Sequence, residues 1–375
     1  MTDSPPPPDQ VPGAPHPREC PRLIGQDTAQ ATFLDAFAAG RLHHGWLLTG
    51  PRGIGKATLA WRIARFLLAT PDVNSGGLFD APPPPDTLDI DPEHPVARRI
   101  LAGADPGLAA ITRSINEKTD RMRSEIVVDD IRKLNRFFGL SAADGGRRVV
   151  IVDTADEMNV SAANALLKML EEPPARTTLL LISHQPSALL PTIRSRCRTL
   201  RLAPLGPPDM QVALAQAGAD IPAGSDQATR LAALASGSVG EALRIVTHDG
   251  LGLYAELFVI LDSLPRLDRQ RALALADLAA QRGAGERFEL LLTLIDTALA
   301  RLARTGATGT APLPEAAPNE AAILTRLSQD NRKARAWAGI ATTITQRARH
   351  GQAVNLDPAA LVLDTVFKMQ ETAAG

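Results

Sequence analysis

The stretch Trp46-Leu47-Leu48-Thr49-Gly50-Pro51-Arg52-Gly53-Ile54-Gly55-Lys56 decides the fold class of this 375-residue chain. A short apolar strand runs into a glycine-rich turn, and the apolar positions after Lys56 recur with the 3.6-residue period of a helix. Gly50, Gly53 and Gly55 let backbone N–H groups converge on phosphate oxygens, and the lysine neutralises phosphate charge at the start of the helix. This order of strand, loop and helix predicts a P-loop domain that binds ATP or ADP.

The position after the lysine departs from this pattern. Ala57 stands where a Ser or Thr hydroxyl would hold Mg²⁺. Thr58 is a nucleotide-binding candidate one residue later, but a one-residue step turns a side chain by about 100 degrees around a helix. We therefore expect phosphate binding to persist and the positioning of Mg²⁺ to be impaired.

Alternating strand and helix signals predict an α/β domain with a doubly wound parallel sheet over residues 22–203. Its buried strands are expected where apolar runs occur, and its helices where apolar residues follow the helical period. The predicted strands are 46–49, 108–111, 149–152 and 179–182, and the predicted helices begin near 27, 56, 129 and 161.

The remaining segments differ in composition from this domain. Residues 1–21 are rich in proline and predict a disordered, extended leader, and residues 71–105 predict a proline-rich, acidic insertion loop. After Pro204 the strand signals end, and helical patterns predict an all-α second half that divides near residue 248. A loop is expected at residues 305–318.

Composition excludes several classes of protein. The formal net charge of −1 gives no sign of a general nucleic-acid-binding module. Cys20 and Cys197 are too few for a disulfide framework or a four-ligand zinc site, which favours a reducing cytoplasm. No apolar run reaches the length of a membrane span, so we expect a cytoplasmic protein without membrane contact.

Two further segments, together with the phosphate loop and Leu23–Gln26, resemble the clamp-loader branch of AAA+ proteins of the bacterial replicative polymerase. They read Ala-Asn-Ala-Leu-Leu-Lys-Met-Leu-Glu-Glu-Pro-Pro at 163–174 and Ile-Arg-Ser-Arg-Cys at 193–197. The resemblance implies a helical lid domain at 204–248 and a helical collar domain at 249–375 that joins the subunits. It also implies a complex with the delta and tau/gamma subunits that loads the β sliding clamp onto primed DNA.

In that family the Ser-Arg-Cys motif projects an arginine into the ATP site of the adjacent subunit. The resemblance therefore makes Arg196 a trans-acting arginine finger, with Ser195 and Cys197 framing its loop. Such a finger increases phosphoryl-transfer rates by about 10³ to 10⁵. An ordinary surface ion pair is the alternative interpretation of this arginine.

The same resemblance indicates losses in the chain's own hydrolytic site. Val149 to Asp153 resembles a Walker B strand, which makes Asp153 a weak candidate for Mg²⁺ binding, but Thr154 stands where AAA+ motors carry a water-polarising glutamate. Asp156 and Glu157 are possible replacements beyond the strand end. Gly240 occupies the place of the lid arginine, so we expect little or no hydrolysis.

Other features leave alternatives open. No cysteine lies between Ala57 and Asn135, where many relatives insert a zinc module, so we expect no zinc. A basic cluster predicts a solvated face, with DNA or partner contact as the alternative; it consists of Arg113, Lys118, Arg121 and Arg123. The alternatives for the whole chain are an active motor subunit of the same complex and, more distantly, a P-loop kinase.

Overall fold

The computed structural model describes residues 7–71, 85–139, 146–219, 221–281, 285–354 and 356–375. It divides into two compact units, Met1–Gly218 with Gly237–Gly240, and Ala219–Ser236 with Glu241–Gly375. The predicted division into an α/β domain at 22–203, a lid at 204–248 and a collar at 249–375 stays a prediction.

The first unit is built on a parallel sheet, as predicted. Its strands are β1 (Gly45–Thr49), β2 (Leu108–Ile111), a small hairpin of β3 (Ile115–Asn116) and β4 (Arg121–Met122), β5 (Arg148–Val152), β6 (Thr177–Ser183) and β7 (Arg198–Arg201). Within the described ranges the sheet order is β2-β5-β6-β1-β7, and every pairing in it is parallel. Its helices are α1 (Asp27–Ala38), α2 (Lys56–Ala69), α3 (Pro95–Leu101), α4 (Val128–Gly139), α5 (Val160–Glu171), α6 (Pro191–Arg194) and α7 (Pro207–Gln216).

Both faces of the sheet are covered by helices. Successive side chains of a strand point to opposite faces, so neighbouring residues belong to different apolar clusters. Trp46 and Leu48 of β1 pack into one apolar cluster with Phe33 of α1 and Phe66 of α2. Leu47 belongs to the other cluster, with residues of α4 and α5. This two-sided burial explains why the strands read as continuous apolar runs, and it confirms the predicted α/β class.

Some elements differ from the sequence-based expectations. The insertion at 71–105 is not entirely a loop, because α3 lies within it; residues 72–84 fall outside the described ranges. Strand β7 was not predicted, since its sequence Arg-Thr-Leu-Arg buries Leu200 and exposes the other three residues. Helix α5, predicted to begin near residue 161, begins at Val160 and is capped by Asn159, which accepts a hydrogen bond from Ala162 N.

The leader also differs from the expected disorder in the part that is described. Residues 7–21, here called the leader segment, lie against α2 and include a 3-10 helix at Pro17–Glu19. Arg62 donates a hydrogen bond to the carbonyl of Pro21 at 2.8 Å, and Arg65 donates to that of Arg18 at 2.6 Å. Because buried guanidinium groups need acceptors, these two arginines order a segment whose composition alone predicts disorder.

The second unit is helical throughout its described residues, as predicted. Its helices are α8 (Asp226–Ala235), α9 (Val239–Thr247, whose first two residues belong to the first unit), α10 (Gly250–Ser263), α11 (Arg269–Ala280), α12 (Gly285–Thr308), α13 (Glu320–Leu327), α14 (Asn331–Ala353) and α15 (Pro358–Ala374). The loop expected from Thr305 begins later, because Thr305 and Gly306 are buried residues of α12. None of the described helices of the chain is long and apolar enough to cross a bilayer.

A buried ionic network ties the second unit together. Glu320 has no exposed surface, and its Oε1 accepts hydrogen bonds from Tyr254 Oη at 2.8 Å and from Arg301 Nε at 2.6 Å. Its Oε2 accepts from the backbone N–H groups of Ala316 and Ala317. Burial and the Glu320 charge raise the pKa of the Tyr254 hydroxyl, so the tyrosine remains a donor.

We expect Glu320→Ala to destabilise the second unit by about 3 to 5 kcal/mol, because it leaves the Arg301 charge and two backbone donors unpaired in the interior. Chemical denaturation followed by helical circular dichroism measures the change. Asp364→Asn is the control, since it removes a largely exposed pair with Arg347 and should cost less than about 1 kcal/mol. Equal stability of the two variants would contradict this role of Glu320.

Candidate nucleotide site and arginine motif

The phosphate loop connects the end of β1 to the start of α2. Gly50, Gly53 and Gly55 have φ values of 142°, 75° and 98°, which residues with a Cβ rarely adopt. A Cβ on Gly50 would lie 2.6 Å from the Leu202 carbonyl oxygen, and one on Gly53 would lie 2.4 Å from Ser238 Oγ. The predicted glycines therefore allow positive φ angles and close packing of the loop, and other residues would disturb both.

The lysine of the loop is folded back onto the loop itself. Lys56 is 3% exposed, and its Nζ donates hydrogen bonds to the carbonyls of Gly50, at 2.7 Å, and Pro51. Burial lowers the pKa of Lys56 to about 8, although the nearby Asp153 and Asp156 carboxylates act in the opposite direction. The cation that would meet phosphate therefore has protein carbonyls as its hydrogen-bond acceptors.

Asp153 follows β5, at the predicted end of the strand. Burial raises the pKa of Asp153 to about 6, and the charges of Asp9 and Glu157 add to the effect. Thr154 Oγ1 donates to Asp153 Oδ1 at 3.1 Å, and this bond together with Lys56 partly offsets the shift. A carboxyl group that holds its proton up to about pH 6 is a weaker ligand for Mg²⁺, which prefers ionised oxygens.

The two carboxylates considered as replacements for a water-polarising glutamate are engaged elsewhere. Asp156 accepts hydrogen bonds from the backbone N–H groups of His184, at 3.0 Å, and Gln185, at 3.2 Å. Glu157 forms ion pairs with Arg113 at 2.9 Å and Arg52 at 3.4 Å. Both side chains thus stabilise the loops around the site.

Thr58 contacts the leader segment. Its side chain shares a hydrogen bond with the thiol of Cys20. Burial raises the pKa of this thiol. The assignment of Thr58 to nucleotide binding stays a prediction.

Ser183 and His184 are polar residues of this region that the sequence reasoning missed. They follow the apolar part of β6, and Thr49 at the end of β1 pairs with Ser183. Among the described residues, Ser183 Oγ and His184 Nδ1 are buried without a hydrogen-bond partner. Burial lowers the pKa of His184 to about 4, with the charges of Lys56 and Arg52 in support. Ligands of parallel sheets bind at the carboxyl ends of strands, a rule that would have drawn attention to both residues.

The segment Gly237–Gly240 packs directly on the phosphate loop. Ser238 Oγ donates to the Arg52 carbonyl at 2.8 Å, and Gly240 N donates to the Gly53 carbonyl at 3.0 Å. A Cβ on Gly240 would lie 2.9 Å from Gly53 Cα. Gly240 therefore stands where a side chain would collide with the loop, at the position where the resemblance places an arginine in motor subunits.

Arg196 lies just after α6, on the surface of the first unit. Its side chain is 38% exposed, and its guanidinium donates to the Thr192 carbonyl at 3.1 Å and pairs with Glu171 at 3.0 Å. Glu171 belongs to the Glu-Glu-Pro-Pro segment, so the two segments that carry the resemblance meet here. Ser195 Oγ donates to the Thr192 carbonyl at 3.1 Å, and burial raises the pKa of the Cys197 thiol to about 12, which favours a packing role for this cysteine.

The basic cluster is partly used within the fold. Arg113 pairs with Glu157, while Arg121 lies in β4 and Lys118 lies in the turn of the hairpin. A contact with DNA or a partner by these residues stays a prediction.

The described residues fit a phosphate-binding loop but do not fit Mg²⁺–ATP in the present arrangement. The Lys56 ammonium is bonded to loop carbonyls, Gly240 lies on Gly53, and Ala57 offers no hydroxyl. Burial and the charge of a second carboxylate, that of Asp9, raise the pKa of Asp153, the candidate metal ligand. We therefore derive no hydrolytic step in this site.

Asp153→Asn tests the buried carboxyl group. An unfolded aspartate has a pKa of about 3.9, so the raised folded pKa of Asp153 makes the wild-type chain lose stability as the pH rises from about 4 through about 6. Asparagine removes this loss, and we expect it to stabilise the chain by about 1 to 3 kcal/mol at pH 8 and by much less at pH 4.

Urea denaturation at both pH values measures the difference. Asp129→Asn is the control, because its carboxylate is exposed beside Arg132 and should change stability by less than about 0.5 kcal/mol. A destabilised Asp153→Asn chain at pH 8 would contradict the expectation.

Comparisons with known proteins agree with the motifs. The family model described as "DNA polymerase III, delta subunit" matches residues 25–206. The delta′ subunit of DNA polymerase III from Pseudomonas aeruginosa is 38% identical over 232 residues, which are 62% of this chain and 63% of that protein. The Escherichia coli K12 delta′ subunit is 30% identical over 57% of this chain and 58% of its own length.

The gamma/tau subunit of DNA polymerase III from Mycobacterium tuberculosis H37Rv is 30% identical over 201 residues, which cover 52% of this chain and 30% of that protein. The match thus spans about three fifths of the length of the two delta′ relatives. The chain is similar in sequence to DNA polymerase III delta′ subunits, and the resemblance to bacterial clamp-loader proteins that its motifs indicated is confirmed.

Proposed function

We propose that the chain is a delta′-type subunit of the cytoplasmic DNA polymerase III clamp-loader complex. In this role it helps to load the β sliding clamp onto primed DNA, together with the delta and tau/gamma subunits. It supplies Arg196 to the ATP site of a neighbouring subunit and hydrolyses little or no ATP itself. The similarity to delta′ subunits and the family match over residues 25–206 support the assignment.

The position of Arg196 relative to the chain's own phosphate loop is the observation that carries the proposal. Gly45 begins β1, and a Cβ on it would lie 3.1 Å from the Arg196 carbonyl oxygen. The phosphate loop begins after Thr49, at the opposite end of the same five-residue strand. Five residues of strand span about 16 Å, so the backbone of Arg196 and the loop lie at opposite ends of β1. An arginine placed there serves a phosphate of another chain better than one of its own.

The charge environment of Arg196 supports the same role. Its partner Glu171 is 43% exposed, so the ion pair lies in water, where such pairs contribute about 0 to 1 kcal/mol. A phosphate group with several negative charges would compete well for a guanidinium held this weakly. The surface ion pair and the finger are therefore compatible interpretations, one for the isolated subunit and one for the complex.

An active motor subunit is the alternative, and the similarity to gamma/tau subunits keeps it under consideration. Three positions disfavour it: Ala57, Thr154 and Gly240 each replace a group that the motor's chemistry needs. A P-loop kinase is disfavoured further, because the Arg196 loop would have no function in one.

Variants in a reconstituted clamp loader with delta, tau/gamma, clamp and primed DNA distinguish these functions. Arg196→Ala should reduce hydrolysis at the site that it serves by about 10³ to 10⁵, because the transition-state charge loses its cationic partner. Clamp-dependent ATP turnover and clamp loading are the measurements.

Arg194→Ala is the matched control, since Arg194 is an exposed arginine of the same segment. It should leave turnover unchanged, as should Lys56→Ala. The opposite pattern, in which Lys56→Ala abolishes turnover and Arg196→Ala has no effect, would establish the motor subunit instead.

A further inference from the structure

The leader segment reaches the mouth of the phosphate loop. Val11 Cγ2 lies 3.6 Å from the place where a Cβ on Gly240 would stand, and Gly240 itself packs on Gly53. The charge of Asp9 adds to the burial that raises the pKa of the Asp153 carboxyl group, so the two carboxyl groups lie near each other. Two residues of one short segment thus lie close to residues of the candidate nucleotide site.

This part of the leader segment has a defined conformation. Gln10 N donates to the Pro7 carbonyl and Ala14 N donates to the Val11 carbonyl, both at 3.0 Å, so two turns fold it. Gln10 Nε2 also donates to the Ala14 carbonyl at 2.7 Å. These bonds make this part of the leader segment compact, and residues 9–16 are here called the plug.

A buried pair fastens the plug to α2. His16 Nε2 and Asp9 Oδ2 lie 3.1 Å apart, and their side chains are 6% and 7% exposed. The His16 ring makes an edge contact with the Trp61 ring at a centroid distance of 5.5 Å. Further along the segment, Arg65 and Arg62 donate hydrogen bonds to the carbonyls of Arg18 and Pro21. The carboxylate of Asp9 is thereby held near a loop whose chemistry suits an anion.

We propose that residues 9–16 are an intramolecular competitor of nucleotide at the phosphate loop, with the Asp9 carboxylate lying where the phosphates of a bound nucleotide would approach. Two effects oppose nucleotide binding while the plug is docked. Val11 occupies space beside Gly240 at the loop, and Asp9 adds negative charge near Asp153. A triphosphate, which is itself polyanionic, binds only after the plug has left. This inference concerns the chain's own loop and does not depend on the role of Arg196.

The double variant Asp9→Ala/His16→Ala in the full chain tests the competition. It removes both members of the buried pair and leaves every residue of the loop intact. If the plug is docked in about nine molecules of ten, its release should tighten binding of a fluorescent N-methylanthraniloyl ATP by about tenfold. Fluorescence titration with Mg²⁺ and with a chelator measures the affinity.

Two controls assign the effect. Glu19→Gln removes an exposed carboxylate of the same segment and should leave the affinity unchanged. Lys56→Ala added to the double variant should abolish the gain, which shows that the nucleotide binds at the phosphate loop. Equal affinity of wild type and double variant, including no binding to either, would overturn the proposal.

Hydrogen exchange tests the placement of the plug without nucleotide. The amides of Gln10 and Ala14 should exchange slowly in the wild-type chain and at the rate of an unfolded peptide in the double variant. Fast exchange of both amides in the wild-type chain would refute the docked plug, whatever the affinity for nucleotide. Saturating nucleotide should raise their exchange in the wild-type chain, and unchanged protection at saturation would overturn the competition.

Discussion

The register of β1 between β6 and β7 is the constraint on which the first unit depends. Thr49 at the end of β1 pairs with Ser183 and Arg201, so the phosphate loop emerges beside the polar end of β6. Trp46 pairs with Arg198, which brings the preceding Arg196 and Cys197 to the start of β1. A shift by one residue would turn every apolar side chain of this strand to the wrong face. The packing of the core therefore fixes the positions of the loop and of the arginine motif together.

Lys56 of the phosphate loop and Asp153 after β5 have pKa values that are shifted towards each other. Burial lowers the pKa of Lys56 and raises that of Asp153, so each group favours its neutral form more than it would in water. Lys56 finds acceptors in the loop carbonyls, and Asp153 accepts a hydrogen bond from the Thr154 hydroxyl, so both groups have partners within the chain. The loop thus keeps the backbone of a nucleotide site while its charges are satisfied from within the chain.

The sequence predicted the elements that depend on local pattern. The apolar runs of β1, β5 and β6 and the glycines of the loop were sufficient for the α/β class, because strand burial and positive φ leave direct signatures. Strand β7 was missed because one buried residue, Leu200, gives no recognisable pattern. The order in the leader segment was missed because it depends on Arg62 and Arg65, which lie more than forty residues later in the chain.

The candidate site was predictable to a similar degree. The loop and Arg196 follow from motifs, whereas Ser183 and His184 become visible only when the sheet order places β6 beside β1. The engagement of Asp156 and Glu157 depends on backbone and arginine partners that no spacing reveals. Pairings between distant segments are what the sequence alone leaves open.

The contact between Gly240 and Gly53 limits the side chains that position 240 can hold. An arginine at position 240 would bring its Cβ to 2.9 Å from the Gly53 backbone, so the loop or the segment would have to move before the guanidinium had any use. An arginine at this position therefore requires a backbone rearrangement first. A side chain introduced at position 240 alone would press on the phosphate loop and give a less stable chain.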